Sequence, residues 1–193
     1  TSSRILTASS LLPDAGLIDY GKSMYGIEFN IRKLDYPYNP RKGVSFCVNG
    51  AVGRRKIIKN AKADESFYEG MEMRTSNYRL AADLMGFVPL HKRFVLVLGL
   101  NGGTMFGNKL YLNELFRIGG MNSLQGFDEK ALYCSSYAIA LAELRFLFAR
   151  RSYINAFFNA AWYERNIPNN YFRDLPFGFG LGLSFDTKAG MFY

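Results

Sequence analysis

The chain has 193 residues, 49% hydrophobic, 16% aromatic and 21% charged, with a formal net charge of +8. Such a length suits one domain with a sizeable core and excludes a disordered chain, and no apolar run approaches the ~18 residues that a membrane-spanning helix needs. A membrane β-barrel is not excluded, because its strands need only ~9–11 residues of alternating polarity. In chain order, a possible strand at 4–11 precedes a clear one at 25–32, where Tyr25, Ile27, Phe29 and Ile31 oppose Gly26, Glu28, Asn30 and Arg32. The turn-forming stretch 35–42 leads to 44–53, with Val44, Phe46, Val48 and Val52 on one face. Next come a long connection at 54–74 and a strand at 77–84, in which Tyr78, Leu80, Ala82 and Leu84 oppose Asn77, Arg79, Ala81 and Asp83. A turn at 88–92, a strand at 93–104, a long connection at 105–133 and a strand at 134–148 follow. The turn 149–152, a strand at 153–163, a connection at 164–175 and the strand 177–186 end in a turn at 187–190 and the first residues of another strand.

Alternation at 180° per residue is the mark of a strand with one apolar face, and no stretch carries a helical stripe. The expected class is all-β. Short and long connections alternate, so all short turns fall at one rim, as in a transmembrane antiparallel up-and-down β-barrel. Aromatic residues at strand ends (Tyr36, Tyr38, Phe87, Phe106, Tyr111, Tyr153, Trp162, Tyr163 and Phe192) are expected to form girdles at the membrane interfaces. The whole chain 1–193 reads as a single domain with a long loop at 105–133, long enough to be functional or folded back.

Five segments then carry a family resemblance. Leu115 to Phe127 (LFRIGGMNSLQGF) is followed by Glu143-Leu144-Arg145-Phe146, by Phe157-Phe158-Asn159-Ala160-Ala161 and by the glycine-alternating Gly178 to Leu183, while Asp35 to Gly43 (DYPYNPRKG) precedes them all. Their order and wording resemble the barrel of the BamA/TamA superfamily of outer-membrane assembly and translocation proteins, of the bacterial surface antigen type and closest to Bacteroidetes-like members. The resemblance implies about half of a sixteen-stranded barrel, incomplete in this chain; a complete eight-stranded barrel is the alternative. It also implies that the loop turns into the lumen and docks on the wall, with Gly119, Gly120, Gln125, Gly126, Phe127 and Asn159 as the latch. Where the family has an Arg at the loop tip and an Asp on the wall, this chain has Gln125 and Asn159. Removing both charges together avoids stranding one, and a neutral amide–amide contact worth ~0.5–1.5 kcal/mol is expected in their place. Ala161, where the family has Gly, is expected to loosen the docking. Glu143 and Arg145, two residues apart on one face, are the candidate lumenal charge pair.

Catalytic chemistry finds little support. His91 is the single histidine and reads as a solvated turn residue, Cys47 and Cys134 read as unpaired, and zinc would lack ligands. No metal, cofactor or enzymatic activity is expected. The cluster Arg54, Arg55, Lys56, Lys59 and Lys62 reads as solvated loop charge rather than a nucleic-acid surface. The implied function is non-covalent insertion or translocation of outer-membrane proteins, with a passive channel as the alternative. The implied setting is the Gram-negative outer membrane. Partners would be its lipid and lipopolysaccharide, unfolded outer-membrane protein substrates, accessory lipoproteins and periplasmic chaperones.

Overall fold

The computed structural model describes residues 2–5, 20–58, 72–149, 151–168, 170–187 and 190–192. Alternation at period two becomes one antiparallel sheet with neighbours in chain order. Its strands are β1 (Ser2–Ile5), β2 (Tyr20–Leu34), β3 (Gly43–Ile57), β4 (Arg74–Pro89) and β5 (Phe94–Gly107), then β8 (Ser136–Ala149), β9 (Ser152–Ile167), β11 (Phe177–Thr187) and β12 (Gly190–Phe192). The sheet is up-and-down and does not close within this chain. The two strands skipped in that order, β6 (Phe116–Ile118) and β7 (Leu132–Cys134), pair with each other inside the long insertion. A further strand, β10 (Asn170–Asp174), pairs with the end of β9.

Cross-strand register puts the large apolar side chains on one face. One row runs Tyr25, Val52, Tyr78 and Phe106, and another runs Ile31, Phe46, Leu84, Leu100, Ala140, Ala160 and Phe177. These residues are bare: Ile27 is 83% exposed, Leu181 81%, Tyr25 79% and Phe179 76%. A monomer in water rarely exposes an apolar patch beyond ~300–600 Å², and this face far exceeds that, so its solvent is hydrocarbon. The apolar spans Val44–Val52, Tyr78–Val88, Ile154–Trp162 and Phe177–Phe185 each fit the ~9–11 residues a tilted strand needs to cross. The other face carries small and polar residues at mid-strand, among them Gly26, Glu28, Asn49, Asp83, Asn101, Asn159, Gly178 and Gly180, with apolar ones such as Ile139, Leu141 and Phe157 concentrated on β8 and β9.

Strands run past their predicted ends. β3 continues to Ile57 and β9 to Ile167, so the predicted connections 54–74 and 164–175 both shrink; the latter becomes a tight β9–β10 hairpin. Beyond the lipid both faces turn polar, which erases the alternation while leaving backbone pairing intact. The predicted strand at 4–11 overlaps β1 only at 4–5; the rest of it, with Lys59 and Lys62, lies outside the described residues. The aromatic girdle needs correction as well. Phe106 and Trp162 face lipid, but Tyr111 and Tyr163 are buried inside and Phe87 packs inward against Val95 and Val97. Tyr25 and Tyr78 belong to the lipid-facing row instead. Phe192 has no described side chain.

The short-turn rim is partly capped. The 35–42 turn is tied by Asp35, whose carboxylate accepts from the amides of Arg41 (2.9 Å) and Lys42 (3.1 Å). Burial pushes the Asp35 pKa up, but the Lys42 and Arg41 amides pull harder and leave it below the usual carboxylate range. From this turn Asn39 reaches inward to Arg145, Arg41 donates to the Lys92 carbonyl, and Tyr36 accepts from Arg151 (3.2 Å). His91 is exposed in its turn, and both cysteines are free, Cys134 buried.

Candidate functional site

Between β5 and β8 the chain leaves the wall, turns onto the inner face and packs against it. A single 3₁₀ turn at Leu112–Glu114 begins this insertion, and the β6–β7 ribbon carries its tip. Leu110, Leu115, Phe116, Ile118 and Leu124 pack on Met105, Ile139, Ala161 and Tyr163 of the wall, and Phe127 lies half-buried at the edge of that cluster. Leu124 is completely buried. Phe127 is the one large apolar residue of the expected latch; Leu124 goes deeper. Ala161, expected to loosen the docking, is itself buried in the cluster and adds contact there.

At the tip, the chain folds on itself. The Gly119 amide donates to Ser123 Oγ (2.8 Å) and the Gly120 amide to the Phe127 carbonyl (3.1 Å), with Gly119, Gly120 and Gly126 at φ of +118°, +91° and +95°. Gln125 and Asn159 do meet, but not as a pair of side-chain amides. Asn159 Nδ2 donates to the main-chain carbonyl of Gln125 at 3.1 Å, while Gln125 Nε2 donates to the Met121 carbonyl at 3.4 Å. The tip hairpin points the Gln125 carbonyl, not its side chain, at the wall. An acceptor there needs a donor opposite, which Asn supplies and an ionised Asp cannot. β11 makes room through Gly178, where a Cβ would run into that same carbonyl.

A second anchor grips the opposite part of the sheet, and sequence reasoning did not find it. Glu114 is buried and sits among Arg55 of β3, which pairs with it directly, Asn77 of β4 (3.0 Å) and Lys22 of β2 (3.8 Å). Arg55, also fully buried, donates to the Lys109 carbonyl (3.0 Å) and to Thr75 (3.2 Å), and stacks 4.8 Å from the Tyr111 ring. Far from being solvated loop charge, Arg55 is fully buried, the deepest cation among the described residues. A signal for both partners was present. Extending the β3 alternation by one step puts Arg55 on the inner face, and Glu114 is the one acid in the apolar run Leu110 to Phe116, a setting that calls for a buried counter-charge. Next to this anchor, Arg79 lies 4.3 Å from the Phe116 ring.

Glu143 and Arg145 form a two-bond bridge, Nε to Oε1 at 2.9 Å and Nη2 to Oε2 at 3.0 Å. Arg145 also donates to Asn39 (3.3 Å) and stacks on Tyr153, so this pair fixes the capping turn rather than standing in an open ladder.

The magnitudes divide the labour. Each well-buried Leu, Ile or Phe of the insertion contributes ~1.5–3 kcal/mol, whereas the Asn159 bond contributes ~0.5–1.5 kcal/mol net. Apolar packing holds the insertion inside; Asn159 and Glu114 decide where it sits. Asn159→Asp is expected to cost ~1–3 kcal/mol, because the Gln125 carbonyl loses its donor. Adding Gln125→Arg should return most of that by pairing with the new carboxylate. Denaturant midpoints of the four proteins of the cycle measure the coupling, and purely additive values would mean that the introduced guanidinium does not reach the introduced carboxylate.

An up-and-down wall, lipid-facing alternation and an inward insertion after its fifth strand are now matched by sequence: residues 14–192 fit the Omp85 superfamily domain. The chain belongs to the Omp85 superfamily. No curated protein matches it. Membership of the Omp85 superfamily accounts for the wall's antiparallel order and its lipid-facing side, and makes this an outer-membrane β-barrel. The residues that position the Omp85 insertion in this chain are those of its two anchors.

Proposed function

We propose that this Omp85 barrel region works in non-covalent insertion of β-barrel proteins into the outer membrane, or in their translocation, with the docked insertion holding the barrel in shape. The observation that carries the reading is the insertion itself, anchored at Glu114 on one side and at Asn159 on the other, with an apolar cluster between. An insertion docked on the inner face suits a machine that works at its wall and edge, where an incoming strand gains main-chain hydrogen bonds by pairing, better than it suits free conduction. The substrates are unfolded outer-membrane proteins; accessory lipoproteins and periplasmic chaperones are the expected helpers. No covalent chemistry and no cofactor enter this reading.

The test reconstitutes the intact protein into liposomes and follows folding of a small unfolded barrel protein by its heat-modifiable mobility. Accelerated folding over empty liposomes is the expected result. No acceleration, together with steady open-channel currents in planar bilayers, would favour the passive-channel reading instead.

A further inference from the structure

The lipid-facing side of β3 and β4 ends at the long-loop rim in three exposed cations. Register puts Lys56 directly opposite Arg74, and Arg54 opposite Ser76, with Ser23 of β2 on its other side. Their parity matches Val52 and Tyr78, so all three point to the lipid side while Arg55 and Thr75 between them point inward. Like charges directly opposite each other destabilise a strand pair, and among the described residues no carboxylate relieves this one. Glu72, two residues before Arg74, is held by the Asn108 side-chain amide at 3.2 and 3.3 Å. Among the described residues the three cations therefore present an anion-binding surface.

Immediately membrane-ward lie Tyr25, Val52, Tyr78 and Phe106, the next row in register. Beyond them Gly50, between Ile27 and Leu80, opens a shallow apolar groove of about 750 Å³. One ligand chemistry matches cations above a belt of aromatics above an apolar groove: a phosphate headgroup carrying acyl chains. Arg forks and a Lys ammonium take the phosphate, Ser23 and Ser76 flank it, and the groove takes a chain. In outer-membrane barrels the long loops face outward, so the lipid belongs to the outer leaflet. We propose that Arg54, Lys56 and Arg74, with the groove at Gly50, form a specific site for a phosphorylated outer-leaflet glycolipid.

The intact protein in detergent is titrated with phosphorylated lipid A, dephosphorylated lipid A and phosphatidylglycerol, with bound lipid counted by native mass spectrometry. Each cation near an anionic headgroup is worth about five-fold, so R54Q/K56Q/R74Q should weaken phosphorylated lipid A by roughly 100-fold. Dephosphorylated lipid A should bind the parent protein as weakly as phosphorylated lipid A binds the triple variant. Gly50→Leu fills the groove, where a Cβ meets only ordinary contact with Leu80, and should weaken binding with the cations intact. Lys42→Gln/Lys92→Gln at the other rim should change nothing. Without lipid the triple variant should melt no lower than the parent, since it loses a like-charge pair. Equal lipid A binding by triple variant and parent would overturn the site, and phosphatidylglycerol binding as tight as phosphorylated lipid A would overturn the assignment to a glycolipid.

Discussion

Glu114→Gln is expected to destabilise the folded barrel by about 3–5 kcal/mol, the cost of leaving a buried cation without its partner. Both charges are out of water, and Arg55 has no route to solvent through its neighbours: its remaining contacts are carbonyls, a hydroxyl and the Tyr111 ring. Gln keeps the volume and one acceptor oxygen, so packing cannot account for the loss. Arg55→Met in the same background should recover a large part of it, because removing both ions removes the desolvation penalty with them. Denaturant titration of the intact protein in detergent reads the effect. A single variant as stable as the parent would mean that the Arg55 guanidinium reaches water in the folded state. The same variant should loosen the first turn of the insertion, seen as earlier protease cleavage near Lys109.

The second large effect is expected at Gly178. Its Cβ in a Gly178→Val variant would collide with the Gln125 carbonyl oxygen, a backbone atom, and crowd Asn159 Oδ1 beside it. Overpacking of a filled site costs ~1–3 kcal/mol even when side chains can shift; here neither β11 nor the tip can, so the upper end applies. The tip should leave the wall, taking with it the Asn159 bond, while the strand pairing of β9 with β11 persists. Limited proteolysis between residues 119 and 131, compared with heat-modifiable mobility, separates the two: cleavage should rise while the barrel band stays. Unchanged protection would show that the tip can sit a full atom further from β11 without penalty.

The wall was legible because the membrane enforces a strict code. Each odd residue of β4 and β5 faces inward and each even one faces lipid, so Tyr78, Leu80 and Leu84 announce their strand with no help from context. Outside the lipid that code lapses: Arg74 to Ser76 and Glu164 to Ile167 pair as well as any segment, but with polar residues on both faces. The insertion was legible as a long, glycine-marked segment, while its inward fold and the pairing of Gln125 with Asn159 were implied by the family resemblance and not by the residue pattern. Which atoms meet was legible in neither, because tip curvature decides whether a residue offers its side chain or its carbonyl. Glu114 escaped notice for another reason. Its three partners come from β2, β3 and β4, and only the assembled register brings Lys22, Arg55 and Asn77 to one point.

Glu114 and Gln125 stand eleven positions apart in the chain and hold opposite flanks of the wall, the first at β2–β4, the second at β9–β11. Pulled straight, that stretch could reach roughly 36–40 Å, but it is wound into a turn, a ribbon and a packed knot and has no slack to give. Any change in girth between those flanks must therefore be absorbed by releasing one grip. On the proposed reading the segment acts as a tie-rod between those flanks, favouring the spacing at which both ends hold.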